Sequence, residues 1–363
     1  MQQREQVRGS APDDVATQDR GLALAIHGLT KSYGATQALR GLDLAVPVGV
    51  VYGFLGPNGA GKTTTIRCLT GLIRPDGGRM ELLGEPFTWR DRHRLEQIGS
   101  LVEAPAFYPY LSGRDNLRVI GATGAQPAAG RIDELLDLVG LSDRAGDHVG
   151  DYSTGMRQRL GVAAALLSDP RLLILDEPAN GMDPAGIVAM RATLRYLAGQ
   201  GRTVFVSSHI LPEVQQLADV VGIIDHGRLV RQGPLDEMLR QTGHVRVRVV
   251  AADRATARAV LERLAGTDAV WEDEGRSREV EGGGAPTGPA AADAGHVPAS
   301  VSTNEGAAPS GADTAGDGWI TVRVDPSRAG EVNRVLAQAG VFATGLESGS
   351  DLETLFLSLT GSA

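Results

Sequence analysis

Short apolar runs alternate with amphipathic stretches over the first two thirds of this chain, and the pattern changes twice. Gly21 to His27 alternates apolar and polar positions, as an edge strand does. Val50 to Leu55 is an apolar run that ends in a glycine-rich segment, and Lys62 to Leu72 reads as the helix which that segment opens. Leu172 to Leu175, Thr203 to Ser207 and Val220 to Ile224 read as buried strands, with helical periodicity between them at Ala185 to Ala198 and Ile210 to Ala218. Strands that alternate with helices predict an α/β core built on a parallel sheet. From Glu103 to Pro170 the pattern is helical only, with Ser112 to Ile120, Arg131 to Val139 and Thr154 to Leu167 as its segments. A helical insertion is therefore expected at about residues 104–170.

After Leu239 the character changes again. His244 to Val250 alternates strictly, Ala255 to Leu264 is helical, and Asp268 to Trp271 reads as a short strand. Glu281 to Gly318 has no Arg or Lys, and its largest apolar residues are Val297 and Val301. Such a segment cannot bury a core, so disorder is expected over 281–318, as it is for the polar tail 1–20. Strand and helix patterns return at Trp319 to Val324, Ser327 to Ala339, Val341 to Leu346 and Asp351 to Leu359. The expected organisation is a main domain over 21–239 and a small α+β, ferredoxin-like accessory domain over 240–363, with the disordered insert looped out of its middle.

Bulk numbers narrow the function. The chain has 363 residues, enough for two domains with real cores. Its formal net charge is −9, which gives a nucleic-acid partner no electrostatic support. Cys68 is the only cysteine, so no intrachain disulfide forms, which suits the cytoplasm. No apolar run approaches a membrane-spanning length, and Met1 to Arg20 has no signal-peptide core. A membrane link is thus expected through another polypeptide. Lys31 and Lys62 are the only lysines, which makes Lys62 hard to read as random.

Gly56-Pro57-Asn58-Gly59-Ala60-Gly61-Lys62-Thr63-Thr64 fits G-x-x-x-x-G-K-[ST] between a strand and a helix. Its glycines let backbone amides curl around phosphates, the following helix points its N-terminal dipole at the same anion, Lys62 adds a point charge and the Thr63 hydroxyl can ligate Mg²⁺. Asp176 ends an apolar strand, where it can anchor Mg²⁺, and Glu177 follows it. Glu103 offers an oxygen to a hard cation. Ser153 alone is an ordinary helix N-cap, as is Asp183 before Pro184. Cys68 reads as core.

These segments, with Tyr152-Ser153-Thr154-Gly155-Met156 and Ser208-His209, occur in one order that resembles the ATP-binding subunit of an ABC transporter over roughly residues 21–237. The resemblance implies an α/β, ABC-type P-loop NTPase fold with a mixed sheet core and a helical subdomain, and ATP and Mg²⁺ as cofactors. It implies that Glu177 polarises the attacking water and that His209 contacts the γ-phosphate. Ser153 and Gly155 would reach the nucleotide of a second ATPase subunit, so two copies would sandwich two ATP molecules. Asp183 resembles the loop that couples the two sites, and Tyr33 sits where the family stacks an aromatic on adenine. Thr154 and Met156 depart from the usual Leu-Ser-Gly-Gly-Gln, as does Tyr152. Glu103 stands where the family usually has Gln. Ile98 to Pro105 and the closing Asp351 to Leu357 resemble the bacitracin-type and drug-export branch, which implies a separate transmembrane permease and a place at the cytoplasmic face of the membrane. The alternatives are a soluble ABC ATPase acting on a macromolecule and an importer subunit. One P-loop per chain, no coiled coil and no zinc-binding cysteines speak against the first; Glu103 speaks against the second.

Overall fold

The computed structural model describes residues 21–124, 127–240, 243–266, 269–273, 318–350 and 352–360. They form two units, the first running to Arg240 and resuming at Leu352, the second covering the residues between. The tail 1–20 and the insert 281–318 lie outside the described residues, save Gly318, which opens a strand.

In the first unit β1 (Leu22–Tyr33), β2 (Thr36–Pro47), β4 (Gly77–Leu82) and β5 (Glu85–Phe87) form an antiparallel sheet in the order β2-β1-β4-β5. The edge-strand reading of Gly21 to His27 is corrected: β1 pairs on both sides, with Ile26 opposite Leu44 and Met80. Ala23 and Ala25 are buried on the face opposite Leu24 and Ile26, so both faces of the strand are covered, a distinction that local periodicity does not carry.

The second sheet contains β3 (Val51–Leu55), β6 (Ile98–Leu101), β7 (Leu172–Asp176), β8 (Thr203–Ser208), β9 (Val220–Asp225) and β10 (Arg228–Pro234), in the order β10-β9-β3-β8-β7-β6. All neighbours are parallel except β9 and β10, so the sheet is mixed. Its central strands are buried on both faces, which is why they read as continuous apolar runs. Alternate side chains go to different cores. Tyr52, Phe54, Leu172, Ile174 and Phe205 pack with the antiparallel sheet and α1 (Lys62–Leu69), whereas Val51, Leu173, Leu175, Val204 and Val206 pack toward the helices.

Those helices are α2 (Gly113–Thr123), α3 (Arg131–Leu138) and α4 (Thr154–Ala165), the expected insertion, and α5 (Pro184–Gly199). The insertion leaves from β6 and returns into β7, and these strands pair directly, Ile98 with Leu172. Sheet continuity therefore survives an excursion of about one subdomain. After β8 the helix α6 is shorter than its pattern, Leu211–Gln215.

The second unit is β11 (His244–Val249), α8 (Arg254–Ala265), β12 (Val270–Asp273), β13 (Gly318–Val322), α9 (Ala329–Gln338) and β14 (Gly345–Gly349). Its sheet runs β12-β13-β11-β14, antiparallel throughout, which is ferredoxin-like topology. Val245, Val247 and Val249 face Ala257, Leu261, Val332 and Leu336 of its helices. Asp273 pairs with Trp319, so the two strands flanking residues 274–317 are neighbours. Replacing 275–316 with a short Gly-containing turn is expected to leave ATPase rate and thermal midpoint unchanged or to stabilise by at most about 2 kcal/mol, at about 0.6 kcal/mol per doubling of loop length. A loss of cooperative melting in that variant contradicts the expectation.

The last helix departs from expectation. α10 (Leu352–Thr360) was expected within the accessory domain, and it packs in the first unit instead. Leu352 and Leu355 are buried with Val214 and Ala218 beside α6, and with Leu235 and Met238 of α7 (Leu235–Arg240). The Leu352 amide donates to Gln215 Oε1 at 2.9 Å. The second unit is thus inserted between α7 and α10. Leu352→Ala is expected to destabilise the first unit by about 2–5 kcal/mol, the usual cost of truncating a fully buried Leu, measured by urea denaturation followed through ATP binding.

Candidate functional site

The loop 56–61, Glu103, the Asp176-Glu177 pair and His209 lie at the carboxyl ends of adjoining parallel strands, where open α/β sheets place their ligand crevices. β3 feeds the loop 56–61, β6 feeds Glu103, β7 ends in Asp176, and β8 ends before His209.

The loop is built for close backbone approach. A Cβ at Gly56 would lie 2.4 Å from Ile224 O, and Gly61 has φ +112° with Ala38 O 2.8 Å from a Cβ position. Both positions thus exclude any other residue. The Ala60 carbonyl accepts from the Gly227 amide at 2.9 Å, which pins the loop to the β9–β10 turn. Lys62 opens α1 and is only 5% exposed. Its Nζ donates to Gly56 O at 2.8 Å and Pro57 O at 3.2 Å. A buried ammonium needs such partners. Cys68, one helical turn beyond Thr64, is buried in the core beneath α1, and burial pushes its thiol up to about 11.

Glu177 is the hub of the site. Its Oε1 lies 3.5 Å from Lys62 Nζ and its Oε2 3.0 Å from His209 Nδ1. Its backbone is left-handed, φ +48°, a conformation that a non-glycine residue holds only when its surroundings enforce it. Ser207 does the enforcing: the Glu177 amide donates to Ser207 O at 3.2 Å and to Ser207 Oγ at 3.0 Å. The Ser207 hydroxyl in turn donates to Asp176 Oδ1 at 2.5 Å. Ser207 is fully buried and stands opposite Asp176 in the β7–β8 register. It thus orients the Asp176 carboxylate directly and fixes the Glu177 backbone, and sequence reasoning missed it. The available signal was a polar pair, Ser207-Ser208, at the end of an otherwise apolar strand.

Glu103 follows β6, whose Leu101 pairs with Leu175, so it emerges beside the Asp176-Glu177 edge. It too has a left-handed backbone, φ +64°, and its Oε1 forms an ion pair with Arg67 of α1.

The Ser153 turn is a separate feature. Ser153 Oγ accepts from the Met156 amide at 3.2 Å and caps α4. Tyr152, in place of the usual Leu, is buried, and its hydroxyl donates to Arg144 O at 2.6 Å. Arg157 bonds to Tyr152 O and, at 3.2 Å, to Thr154 Oγ1, so the turn is locked by its own departures from the family pattern. A Cβ on Gly155 would lie 3.6 Å from Met182 Cε. The loop that carries Asp183 therefore packs on this turn within one chain, and Asp183 Oδ1 caps α5 through the Gly186 amide at 3.2 Å. Among the described residues no hydrogen bond or ion pair joins Ser153 or Gly155 to the loop 56–61. Tyr33 lies at the end of β1, 47% exposed, with Lys31 Nζ 5.6 Å from its ring centroid.

The donor set suits a nucleotide with a hard cation. Thr63, Asp176 and Glu103 offer oxygens only. Among the described residues no cluster of three or more His, Cys, Asp or Glu could hold a metal alone. Mg²⁺ commonly combines one or two carboxylates with substrate phosphates, so this set matches Mg²⁺–ATP better than a resident metal.

Comparison with known proteins places the chain. It matches the ABC transporter family over residues 39–180. It is 48% identical over 214 residues to the bacitracin transport ATP-binding protein of Bacillus licheniformis, covering 59% of this chain and 70% of that protein. It is 42% identical over 246 residues to a daunorubicin resistance ATP-binding protein of Streptomyces coeruleorubidus, covering 67% and 78%. A solved ATP-binding subunit of an ABC transporter superposes with TM-score 0.55 at 29% identity, covering 61% of this chain and 93% of that one. The chain belongs to the ABC transporter ATP-binding family, and it is an ATP-hydrolysing subunit of that class. A dimeric cassette bound to ADP and phosphate shares the fold at 22% identity and TM-score 0.53.

Proposed function

We propose that two copies of this chain close around two Mg²⁺–ATP molecules at the cytoplasmic face of a membrane and drive a separate permease that exports an antibiotic or drug-like compound. The observation that carries the chemistry is Glu177, held between Lys62 and His209 with its backbone fixed by Ser207. The bound cation would neutralise charge building on the transferred phosphoryl group. Thr63, Asp176 and Glu103 would hold that cation. Lys62 and the amides of Gly56, Asn58, Gly59, Ala60, Gly61, Thr63 and Thr64 would bind phosphate oxygens, Pro57, which has no N–H, would shape the loop, and Tyr33 would stack on the base. Glu177 would accept the proton of the attacking water, and His209, 3.0 Å away, would keep its carboxylate aimed. Ser153 and Gly155 would complete the site of the opposite copy, and Asp183 would tie the two sites together. Their separation from the loop 56–61 within one chain supports that arrangement.

Export rests on the relatives, whose names refer to bacitracin, daunorubicin and lantibiotic transport or resistance. Among the described residues no helix is long and apolar enough to cross a membrane, and in this reading the conduit would be a partner chain. A groove of about 1070 Å³ between the β6 segment and α2 and α4, lined by Leu101, Pro105, Phe107 and Ile120, offers that partner a seat. Exposed Tyr108 and Tyr110 follow the same segment. The test is to purify the chain from membranes with whatever polytopic protein accompanies it, and to measure ATP-driven drug uptake into inside-out vesicles. Uptake that requires both proteins is expected. Co-purification with ribosomes and no polytopic protein overturns the proposal in favour of a soluble ATPase.

A further inference from the structure

Glu103 is a carboxylate where the family usually has a neutral amide, and the structure gives that charge a partner. Arg67 follows Thr63 by four residues on α1, so the two share a helix face. Helical side chains lean toward the N-terminus, so Arg67 projects from the helix face and the end of α1 that carry Thr63. Glu103 approaches from the β6 side, two residues beyond Leu101, which pairs with the residue before Asp176. The ion pair therefore ties Glu103 to α1 beside the two other oxygen donors expected to hold Mg²⁺.

We propose that Arg67 is a positioning residue that competes with the cation for Glu103. The pair holds the carboxylate on α1, and Mg²⁺ arriving with ATP exchanges with the guanidinium and takes the carboxylate. This rests on the reading that Glu103 contributes an oxygen to the metal. Three observations make the exchange physically easy. The pair is half-exposed, at 38% and 55% for the two side chains, so it is worth less than about fivefold in an equilibrium constant. The left-handed backbone of Glu103 is held by its surroundings rather than by its own preference, so the loop has a relaxed alternative once the pair opens. A divalent cation outbids a monovalent one for the same oxygen when phosphates supply its remaining ligands. A glutamine at 103 would bind Arg67 far less, because its amide carries no net charge. The catch is thus specific to this chain's carboxylate.

The test reads metal affinity, not turnover. Mn²⁺ binding to the full chain with ADP is measured by electron paramagnetic resonance for the wild type, Arg67→Gln, Arg67→Lys, Glu103→Gln and the double variant. Arg67→Gln is expected to tighten Mn²⁺ by about two- to fivefold, the size of an exposed ion pair. Arg67→Lys should stay near wild type. Glu103→Gln should weaken Mn²⁺, and the double variant should match Glu103→Gln alone, because Arg67 acts only through Glu103. If Glu103→Gln weakens Mn²⁺ while Arg67→Gln leaves it unchanged, the catch is overturned and the metal reading stands. If Glu103→Gln has no effect, the metal reading fails and the catch fails with it.

Discussion

Glu177→Gln is expected to bind ATP normally and to lose about a hundred- to ten-thousandfold in hydrolysis, the usual contribution of a positioned general base. The substitution keeps the shape of the side chain and removes its basicity. Glutamine can still accept from Lys62, 3.5 Å away, and the backbone at φ +48° is set by Ser207 rather than by the carboxylate. Folding and nucleotide binding should therefore survive, and ATP should remain trapped in a closed dimer that gel filtration resolves. A purified Glu177→Gln protein that turns over ATP at the wild-type rate removes Glu177 from the mechanism. Lys62→Ala should differ in kind. It deletes a buried charge whose partners are the Gly56 and Pro57 carbonyls and Glu177, so it should weaken nucleotide affinity itself. The contrast between intact binding in one variant and lost binding in the other separates the two roles.

The second large effect is expected from mixing two inactive chains. Lys62→Ala carries a damaged phosphate loop and an intact Ser153 turn, and Gly155→Glu carries the reverse. Gly155 sits at the start of α4 against Met182, so a bulky acid there both crowds the loop of Asp183 and repels phosphate. Each homodimer should be inactive, since each of its two sites contains one damaged half. A heterodimer has one site with both halves intact. An equimolar mixture should thus recover about a quarter of the wild-type sites, from random pairing in a two-fold dimer. No recovery, together with activity of the wild-type chain that is independent of dilution, refutes the shared site.

Much of the fold was legible because its signals are local. Runs such as Leu172 to Leu175 are apolar without interruption because both faces of a parallel strand are buried. The Gly56–Thr63 loop and the caps Ser153 and Asp183 are short-range devices, and each does its local task in the structure. The ferredoxin-like reading of the second unit also held, since strict alternation in β11 marks a sheet with one covered face.

What escaped notice depends on residues far apart in the chain. β2, β4 and β10 mix polar and apolar positions, and only pairing reveals them as strands, as it reveals that β1 is flanked on both sides. The amphipathic pattern of α10 says that one face is covered, and it cannot say whether Val214 and Leu235 or the accessory sheet does the covering. Ser207 looks like any strand-end serine until the β7–β8 register sets it against Asp176. Likewise Arg67 and Glu103 acquire a relation only when β6 brings position 103 alongside α1. The sequence by itself thus determined which segments could carry phosphate chemistry and what secondary structure they would adopt, because hydrophobic period, capping and backbone freedom act over a few residues. Only the tertiary structure decided which carboxylate meets which cation, because that depends on strand order and register, and these are settled by packing across the whole sheet.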